Sequence, residues 1–357
     1  MSARFHTSAA HIPQQPMSLS RRGVIGLFGG LAVAGPLSAC TNDANEPAVA
    51  SPSGSSSGGP FPVSVPTVFG DVQVPAEPKR IVTVGVTEQD ALWALGLAPV
   101  GVTEWYGGYP SAAWPWAEQA ASAAGAAPEV LTTSDGFDFE SIAALRPDLI
   151  IGINAGTTKK DWNTLSAIAP TVAQPGKQAW FGPWQVEAGN VGLAVGKPDE
   201  VAQLIAGVTD KYQQAAEAHP EFAGKKAVFL QNAFYDGAAV AYPEGLSTEF
   251  LTSFGFTIPE VLKEYAGSGD SPQAFIPKED LVDALDEADV LVWATEADED
   301  VTKLEKDPIF QQLRATKEGR NVYTGGVLSG AIYFTSLLSL PYVVDELTPM
   351  LAAALKV

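Results

Sequence analysis

Few side chains in this sequence are suited to nucleophilic or metal chemistry. The 357 residues include one cysteine, Cys40, and three histidines, of which only His219 lies beyond the N-terminal segment. A Ser-His-Asp or Cys-His hydrolase needs a histidine beside its nucleophile, and a zinc or copper site needs several histidine or cysteine ligands. No G-x-G-x-x-G, P-loop or H-E-x-x-H motif occurs either. The sequence therefore favours binding over catalysis, and we expect no enzyme activity, no cofactor and no metal ligated by the protein.

The single cysteine stands at the end of an apparent export signal. Ser20-Arg21-Arg22 precede an uncharged run over 23–39 that is rich in Gly, Ala, Val and Leu. This run is shorter and richer in glycine than a membrane-spanning helix, and a basic start followed by an apolar run is typical of a signal peptide. The paired arginines leave twin-arginine and general export both open. Translation from Met1 and from Met17 are likewise both compatible with the signal.

The residues around the cysteine predict a lipid anchor. Leu37-Ser38-Ala39-Cys40 resembles a bacterial lipobox, in which the cysteine becomes the lipid-bearing first residue of the mature protein. We therefore predict a signal peptide over 1–39 and lipidation of Cys40. Residues 40–60 are mostly Ser, Gly, Pro and Ala, a composition typical of a flexible tether. The expected location is the outer face of the cytoplasmic membrane.

Composition narrows the choice of partners. The net charge of −20 argues against nucleic acid or an anionic lipid surface as a ligand. An exported protein without disulfides must be stabilised by its hydrophobic core, and a hydrophobic content of 46% allows such a core.

One pattern of strands and helices occurs twice along the chain. In the first half, apolar runs predict strands at 81–85 and 148–152 with helices at 88–95 and 139–145; in the second half, strands are predicted at 225–230 and 289–293 with helices at 247–254 and 278–285. Such alternation predicts an α/β fold with parallel sheets covered on both faces. The longest helical stretch lies between the halves. We predict an N-terminal lobe over 61–184, a connecting helix over 185–220 broken only at Gly196-Lys197-Pro198, and a C-terminal lobe over 221–357.

Several of these segments resemble a known family. P-K-R-I-V-T-V-G (78–85), A-L-W-A-L-G-L-A-P-V-G-V (91–102), F-E-S-I-A-A-L-R-P-D-L-I-I-G (139–152) and L-S-A-I-A-P-T-V (165–172) are similar to the N-terminal lobe of ferric-siderophore-binding lipoproteins of ABC transporters. L-R-A-T-K-E-G-R-N-V-Y (313–323) is similar to their C-terminal lobe, and the family also contains haem and cobalamin binders.

The resemblance implies a fold and a function. The fold would be two Rossmann-like lobes joined by a long connecting helix, with the ligand in the cleft between the lobes. A monomer would bind an iron-siderophore complex outside the cytoplasmic membrane and deliver it to an ABC-type permease. The siderophore would chelate the iron. Haem or cobalamin binding by the same fold, and a surface sensor without transport, remain alternatives.

The loops predicted at the cleft are rich in aromatic residues. Ligands of open α/β sheets lie beyond the carboxyl ends of the strands, and aromatic walls suit a large amphipathic chelate. The residues we expect to contact the ligand are Trp105, Tyr106, Trp180, Trp184 and Tyr235. For any single ring, packing at a domain edge is the alternative.

The predicted cleft loops contain no arginine, and Lys159 and Lys160 are the only cations considered near them. Strongly anionic catecholate complexes pair well with arginine, so its absence favours a neutral or cationic ligand such as a ferric hydroxamate. Glu88, in the first strand–helix loop, either meets a cationic group of the ligand or serves only as a helix-start carboxylate.

The resemblance also implies two acidic contacts with the permease. By motif position these are Glu140, in F-D-F-E-S-I, and Glu244, in Y-P-E-G-L-S. Each lies near the start of a predicted helix, where a carboxylate stabilises the helix dipole by about 0.3–1 kcal/mol. The two roles are compatible.

Overall fold

The structure is a computed structural model that describes residues 60–132, 136–235, 237–267 and 273–356. The predicted signal peptide, Cys40 and nearly all of the predicted tether lie outside these ranges. Within them, no helix combines the length and the apolar character that crossing a membrane requires.

The first large sheet has the strand order of a Rossmann half. A short antiparallel hairpin precedes it, formed by β1 (Val63–Val65) and β2 (Val72–Val74). Among the described residues the sheet has five strands: β3 (Ile81–Thr83), β4 (Gly101–Thr103), β5 (Glu129–Leu131), β6 (Leu149–Gly152) and β7 (Thr171–Ala173). All pairings are parallel and the order is β5-β4-β3-β6-β7. The chain therefore changes direction across the sheet between β3 and β6, the position where such sheets bind ligands.

Helices cross between these strands. They are α1 (Glu88–Ala94), α2 (Glu118–Ala123), α3 (Phe139–Ala144) and α4 (Lys159–Ser166). Side chains fix two of their starts: Asp138 accepts the Ser141 N–H at 3.0 Å, and Thr158 forms a capping box with Asp161. These bonds satisfy N–H groups that a helix start otherwise leaves free.

The predicted connecting segment consists of two helices. They are α5 (Trp184–Ala194) and α6 (Pro198–Ala218). The break falls at the predicted place because Gly196 adopts a positive φ of 72° and Pro198 starts the next helix. Phe61, at the start of the described chain, packs closely against Gly196.

The second large sheet is mixed, unlike the parallel sheets that strand–helix alternation predicts. Its strands among the described residues are β8 (Ala227–Tyr235), β9 (Ala238–Ala241), β10 (Ala274–Pro277), β11 (Val290–Ala294) and β12 (Asn321–Tyr323), in the order β10-β9-β8-β11-β12. β8, β11 and β12 are parallel, whereas β9 and β10 pair antiparallel. β8 ends at Tyr235 and β9 begins at Ala238, and Gly237, directly before β9, has a positive φ of 84°. Asp236-Gly237 between two apolar runs is a hairpin signal, so this half of the sheet folds locally instead of through a helical crossover.

The remaining helices follow in the second half of the chain: α7 (Leu246–Ser253), α8 (Leu281–Leu285), α9 (Asp298–Lys306), α10 (Arg314–Lys317), α11 (Gly325–Phe334) and α12 (Ser339–Leu355). We refer to the first sheet with α1–α4 as the N-terminal lobe and to the second sheet with α7–α12 as the C-terminal lobe. The exact lobe boundaries given above stay predictions.

One hydrophobic cluster runs through both lobes. It contains Ile151 and Val172 of the first sheet, Phe229 and Val292 of the second, and Leu347 of α12, together with apolar residues of α5 and α6. Both sheets thus rest on the same layer of helices. Because packed interiors resist deformation, we expect the two lobes to move only modestly relative to each other.

A glycine in α11 allows the C-terminal lobe to approach an aromatic ring of the N-terminal lobe. A Cβ atom at Gly330 would lie 2.5 Å from the buried ring of Trp114, whereas a Cβ at Gly207, exposed in α6, would meet nothing within 4 Å. Gly330→Ala should therefore lower the free energy of unfolding by about 1–3 kcal/mol through overpacking. Gly207→Ala should raise it by about 0.5–1 kcal/mol through helix propensity.

The measurement is chemical denaturation of the two purified variants beside the parent protein. A stabilising effect of both alanines would mean that the close contact between α11 and Trp114 does not exist.

Candidate ligand-binding site

Aromatic rings from both lobes meet between the two sheets. Trp105 and Tyr106 follow β4, Phe181 follows β7, and Phe334 ends α11. The ring centroid of Trp105 lies 4.8 Å from Tyr106, 5.1 Å from Phe181 and 5.2 Å from Phe334. We call these four residues the aromatic cluster. Two predicted ligand contacts, Trp105 and Tyr106, thus lie together at the carboxyl ends of the strands, where the fold leads one to expect a ligand.

Two further tryptophans support the aromatic cluster from behind. Trp114 and Trp116 stack with centroids 4.7 Å apart and an interplanar angle of 17°. Trp114 lies 4.9 Å from Tyr106, and Trp116 lies 5.0 Å from Phe334. Aromatic pairs at such distances add roughly 0.5–1.5 kcal/mol beyond the burial of their area. The second layer therefore fixes the position of the rings in front of it.

Trp180 and Trp184 have opposite environments although both were predicted to contact ligand. Trp180 is 49% exposed and lies against Gly156 beside Phe181, with ring centroids 6.3 Å apart. Trp184 is only 7% exposed and belongs to the hydrophobic core. It lines a cavity of about 370 Å³ with residues of α6 and α7. Trp184 is thus a packing residue in this conformation, and ligand contact by either ring stays a prediction.

Tyr235 lies at the end of β8, where its backbone pairs with Ala238 in the hairpin. Its side chain is not among the described parts of the structure, so its predicted ligand contact stays a prediction.

Glu88 is buried at the start of α1. It is 4% exposed, and its carboxylate accepts the N–H of Asn154 at 2.6 Å and the N–H of Thr87 at 3.2 Å. Burial raises its pKa, and the backbone N–H groups oppose this rise. Glu88 is thus a carboxylate at the start of α1, and its two hydrogen bonds connect the loop after β3 to the loop after β6. A contact with a cationic ligand stays a prediction.

Asn154 is a site residue that the sequence analysis did not find. Its Oδ1 accepts the N–H of Phe181 at 2.9 Å, and its Nδ2 donates to Thr87 Oγ1 at 3.1 Å. Phe181 has a positive φ of 50°, which costs energy for a residue with a side chain. The amide thus holds a ring of the aromatic cluster in a strained conformation. No periodicity or composition marks this residue; only its place after a buried strand indicates it.

A second carboxylate, partly buried, holds the same loop. Glu187, in the first turn of α5, accepts the N–H of Gly182 at 2.8 Å. Burial and, to a lesser extent, the negative charge of Glu88 raise the pKa of Glu187 to about 8, so this carboxyl is neutral at pH 7. Gly182 directly follows Phe181, so two residues of this loop are held by side chains of neighbouring elements.

The C-terminal lobe contributes polar groups as well as Phe334. Tyr242 follows β9, and its hydroxyl accepts the Nε2 donors of Gln231 at 2.7 Å and Gln273 at 3.4 Å. Glu296, after β11, faces Tyr106, and burial with this negative charge raises the pKa of the Tyr106 phenol. Burial also raises the pKa of Glu296 itself. The C-terminal lobe thus contains amides bonded to a buried phenol, and an acid that faces Tyr106.

Three cations of the described ranges contact residues outside the aromatic cluster. Arg80 donates to the carbonyl of Leu145 at 2.6 Å, and Arg314 donates to that of Asp286 at 2.6 Å. Lys159, considered above as a possible cation in the cleft, lies 3.8 Å from the ring centre of Trp162. These cations support strand and helix ends.

A groove opens beside the aromatic cluster. It has a volume of about 490 Å³ and is lined by Gln178, Phe181 and Pro183 of the N-terminal lobe and by Pro243, Glu244 and Thr248 of the C-terminal lobe. Glu244 is exposed, immediately before the glycine that precedes α7, and Glu140 is exposed in the first turn of α3. Each predicted permease contact thus lies on the surface of a different lobe. In the described residues no group of three or more His, Cys, Asp or Glu side chains could hold a metal ion.

Two α/β lobes with an aromatic cleft between them define the class of two-lobed binding proteins. Residues 81–327, more than half of the chain, match the family described as periplasmic binding protein, and the chain belongs to that family. The resemblance inferred from the sequence motifs is thereby confirmed.

Individual relatives agree with this assignment. A probable siderophore-binding lipoprotein of Bacillus subtilis, YfiY, is 29% identical over 257 residues, covering 69% of this chain and 74% of the relative. A crystal structure described as a periplasmic solute binding protein from Mycobacterium smegmatis is 45% identical with a TM-score of 0.76, covering 82% of this chain and 98% of that chain. The structure of PiaA from Streptococcus pneumoniae in complex with ferrichrome is 28% identical with a TM-score of 0.69, covering 82% and 99% of the two chains.

Glu187 gives the loop of Phe181 a testable pH dependence. The folded-state pKa of about 8 lies above the ordinary value of 4.5, so the unfolded chain releases this proton at lower pH than the folded protein does. The contribution of Glu187 is therefore fully present below pH 4.5 and is lost as the pH rises through 8. Glu187→Gln keeps the acceptor for Gly182 and cannot ionise. We expect its Tm to equal that of the parent near pH 5 and to exceed it at pH 9 by about 2 °C or more.

Thermal unfolding of parent and variant at both pH values checks this expectation. Glu129→Gln, at an exposed position in β5, is the matched control and should change neither Tm. An equal Tm shift by Glu187→Gln at pH 5 and pH 9 would contradict the raised pKa.

Proposed function

We propose that this protein binds a ferric siderophore between its two lobes, outside the cytoplasmic membrane, and delivers the complex to an ABC-type permease for iron uptake. The observation that carries the proposal is the aromatic cluster, in which Trp105, Tyr106 and Phe181 of one lobe meet Phe334 of the other. Aromatic faces give a large apolar contact with limited loss of conformational freedom. A siderophore that fills all the coordination positions of its iron needs such a contact surface and does not need metal ligands from the protein.

The relatives support the substrate class. The Bacillus subtilis relative is described as siderophore-binding, and the structure of PiaA contains ferrichrome. Both descriptions name a bound compound and neither names a reaction. By the same argument we propose that the present chain is a receptor without enzyme activity.

We further propose that the cargo is a ferric hydroxamate. Glu296 and Glu244 border the site or its groove, whereas Arg80, Arg314 and Lys159 make their contacts elsewhere. An acidic surround repels a strongly anionic catecholate complex and tolerates a neutral or cationic hydroxamate complex. Lipidation of Cys40, with a flexible tether after it, would keep the monomeric receptor at the outer face of the membrane.

A titration with five compounds tests the cargo. The protein is titrated with ferrichrome (neutral), ferrioxamine B (cationic), a ferric tris-catecholate (anionic), haemin and cyanocobalamin, and tryptophan fluorescence is followed. We expect saturable quenching by one or both hydroxamates. Trp105→Ala should weaken that binding about tenfold or more, equivalent to at least ~1.4 kcal/mol. Trp162→Phe, at a ring that lies under Lys159, should leave it unchanged.

Other outcomes change the proposal. Binding of only the catecholate contradicts the hydroxamate assignment, and binding of only haemin or cyanocobalamin contradicts the siderophore assignment. Unchanged affinity in Trp105→Ala removes the aromatic cluster from the site.

Charge reversal tests the proposed permease contacts. Glu140→Lys combined with Glu244→Lys should abolish uptake of the ferric siderophore by cells and leave the affinity of the purified protein within about twofold, because both side chains are exposed on the lobe surfaces. Glu129→Lys combined with Glu279→Lys, one exposed acid on each lobe, is the matched control and should transport normally. A large loss of affinity in the first variant would instead place Glu140 or Glu244 in the binding site.

A further inference from the structure

We propose that Asp90 is a positioning residue that joins the two lobes behind the cleft and fixes the aromatic walls without touching the ligand. This inference rests on the proposed function for its effect on affinity, but the bonds themselves can be tested without any ligand.

Asp90 bonds to both lobes at once. It lies in α1 and is only 1% exposed. Its Oδ2 accepts the indole N–H of Trp116 at 2.9 Å and also accepts the hydroxyl hydrogen of Ser336. Trp116 belongs to the N-terminal lobe, whereas Ser336 lies between α11 and α12 of the C-terminal lobe. One buried carboxylate is therefore the common acceptor for donors from the two lobes.

Ser336 in turn fixes the start of α12. Its hydroxyl oxygen accepts the N–H of Ser339 at 3.0 Å and that of Leu338 at 3.3 Å, and Ser339 Oγ accepts the N–H of Ser336 at 2.9 Å. α12 is a helix of 17 residues, so its N-terminus carries a partial positive charge that favours a nearby carboxylate. Asp90 thus contributes, through Ser336, to the cap of a helix in the other lobe.

The same two donors continue into the aromatic cluster. Trp116 lies 5.0 Å from Phe334, and Phe334 lies two residues before Ser336. The intervening Thr335 has a positive φ of 50°, which turns the chain sharply at the end of α11. Phe334 is therefore held from one side by the Trp116 ring and from the other by a strained turn whose far end bonds to Asp90.

Among the described residues, no cation compensates the charge of Asp90. The elements packed against α1 are α2, α5 and the segment 335–339, whose titratable residues are Glu118 and Glu187, and α1 itself contributes Glu88. All of these are acids. Burial raises the pKa of Asp90 to about 6, against the lowering effect of its two hydrogen bonds. The carboxyl is therefore easier to hold between the lobes when it is protonated.

A pH dependence of binding follows. If opening the lobes hydrates Asp90 and lowers its pKa, protons favour the closed arrangement, so affinity must increase as the pH falls through 6. A change of one pKa unit between open and closed forms gives about a fivefold tighter Kd at pH 5 than at pH 7.5. Asp90→Asn is neutral at every pH and retains an acceptor, so its Kd should be close to the acidic value and flat between these pH values.

Four variants separate positioning from general structural support. Ser336 and Ser339 form a serine pair, in which each side-chain oxygen accepts the backbone N–H of the other residue. Ser336→Ala removes the bond to Asp90. Ser339→Ala removes the other hydroxyl of the serine pair and leaves the bond to Asp90 in place. Asp90→Ala removes the acceptor altogether, and the double variant Asp90→Ala with Ser336→Ala completes a thermodynamic cycle. We expect Asp90→Ala and Ser336→Ala each to weaken ferrichrome binding at least tenfold, the double variant to lose little more, and Ser339→Ala to stay within about threefold of the parent.

Hydrogen exchange supplies the readout that needs no ligand. In the ligand-free protein, amides 336–340 should exchange at least tenfold faster in Asp90→Ala and Ser336→Ala, and Asp90→Asn should restore the parent rate. If the exchange pattern appears but ferrichrome fails to bind the parent, the proposed cargo is wrong and the inter-lobe link stands. Parent-like exchange in Asp90→Ala and Ser336→Ala would overturn the inference. If Asp90→Ala does not fold, the variants Asp90→Asn, Ser336→Ala and Ser339→Ala test the inference in its place.

Discussion

The binding region depends on buried and partly buried carboxylates that have no cationic partner among the residues the structure describes. Glu88, Asp90 and Glu187 lie where the first sheet meets α5 and the C-terminal lobe, and the sequences of α1, α2 and α5 contain no lysine or arginine. An isolated buried charge is costly, so each carboxyl either accepts hydrogen bonds or becomes neutral. The donors are the Asn154 and Gly182 backbones and the side chains of Trp116 and Ser336. Gly182, Trp116 and Ser336 lie in or next to the segments that carry the aromatic rings, and Asn154 bonds to the backbone of Phe181. The hydrogen bonds that offset the cost of burying the acids therefore also fix the binding surface.

This arrangement combines a rigid frame with a strained lining. The shared hydrophobic cluster through α5, α6 and α12 resists large movements of the lobes, while Phe181 and Thr335 adopt positive φ values beside the aromatic rings. Strained backbone conformations persist only where neighbouring groups hold them in place. Here Asn154 holds Phe181, and the hydrogen bonds between Ser336 and Ser339 hold the chain next to Thr335. Modest opening of the lobes is then enough to admit a ligand, because displacing a few rings exposes the surface without unfolding the frame.

The sequence predicted more of the fold than of the binding site. Apolar runs such as 81–85 and 289–293 predicted β3 and β11 because buried parallel strands are almost continuously hydrophobic. The sequence analysis predicted parallel sheets from the alternation of strands and helices and gave no weight to the hairpin signal Asp236-Gly237. The antiparallel half of the second sheet was therefore missed. Trp180 and Trp184 show the limit for sites: both lie in one aromatic loop, but α5 begins at Trp184 and turns that ring into the core. The only sequence signal for Asn154 was its position after a buried strand, since its bonds join loops that only the tertiary fold brings together.

Under the proposed hydroxamate assignment, the uneven distribution of charge would make an aromatic binding surface selective. Stacked rings supply most of the contact area, but ring faces accept many flat or amphipathic compounds and discriminate poorly among them. Discrimination then comes from charge that the ligand must not carry. With Glu296 facing Tyr106 and Arg80 and Arg314 engaged at strand and helix ends, an anionic chelate would lose hydration without gaining a partner. A neutral or cationic chelate meets no such penalty, so under the proposed assignment the exposed acids Glu296 and Glu244 disfavour an anionic cargo.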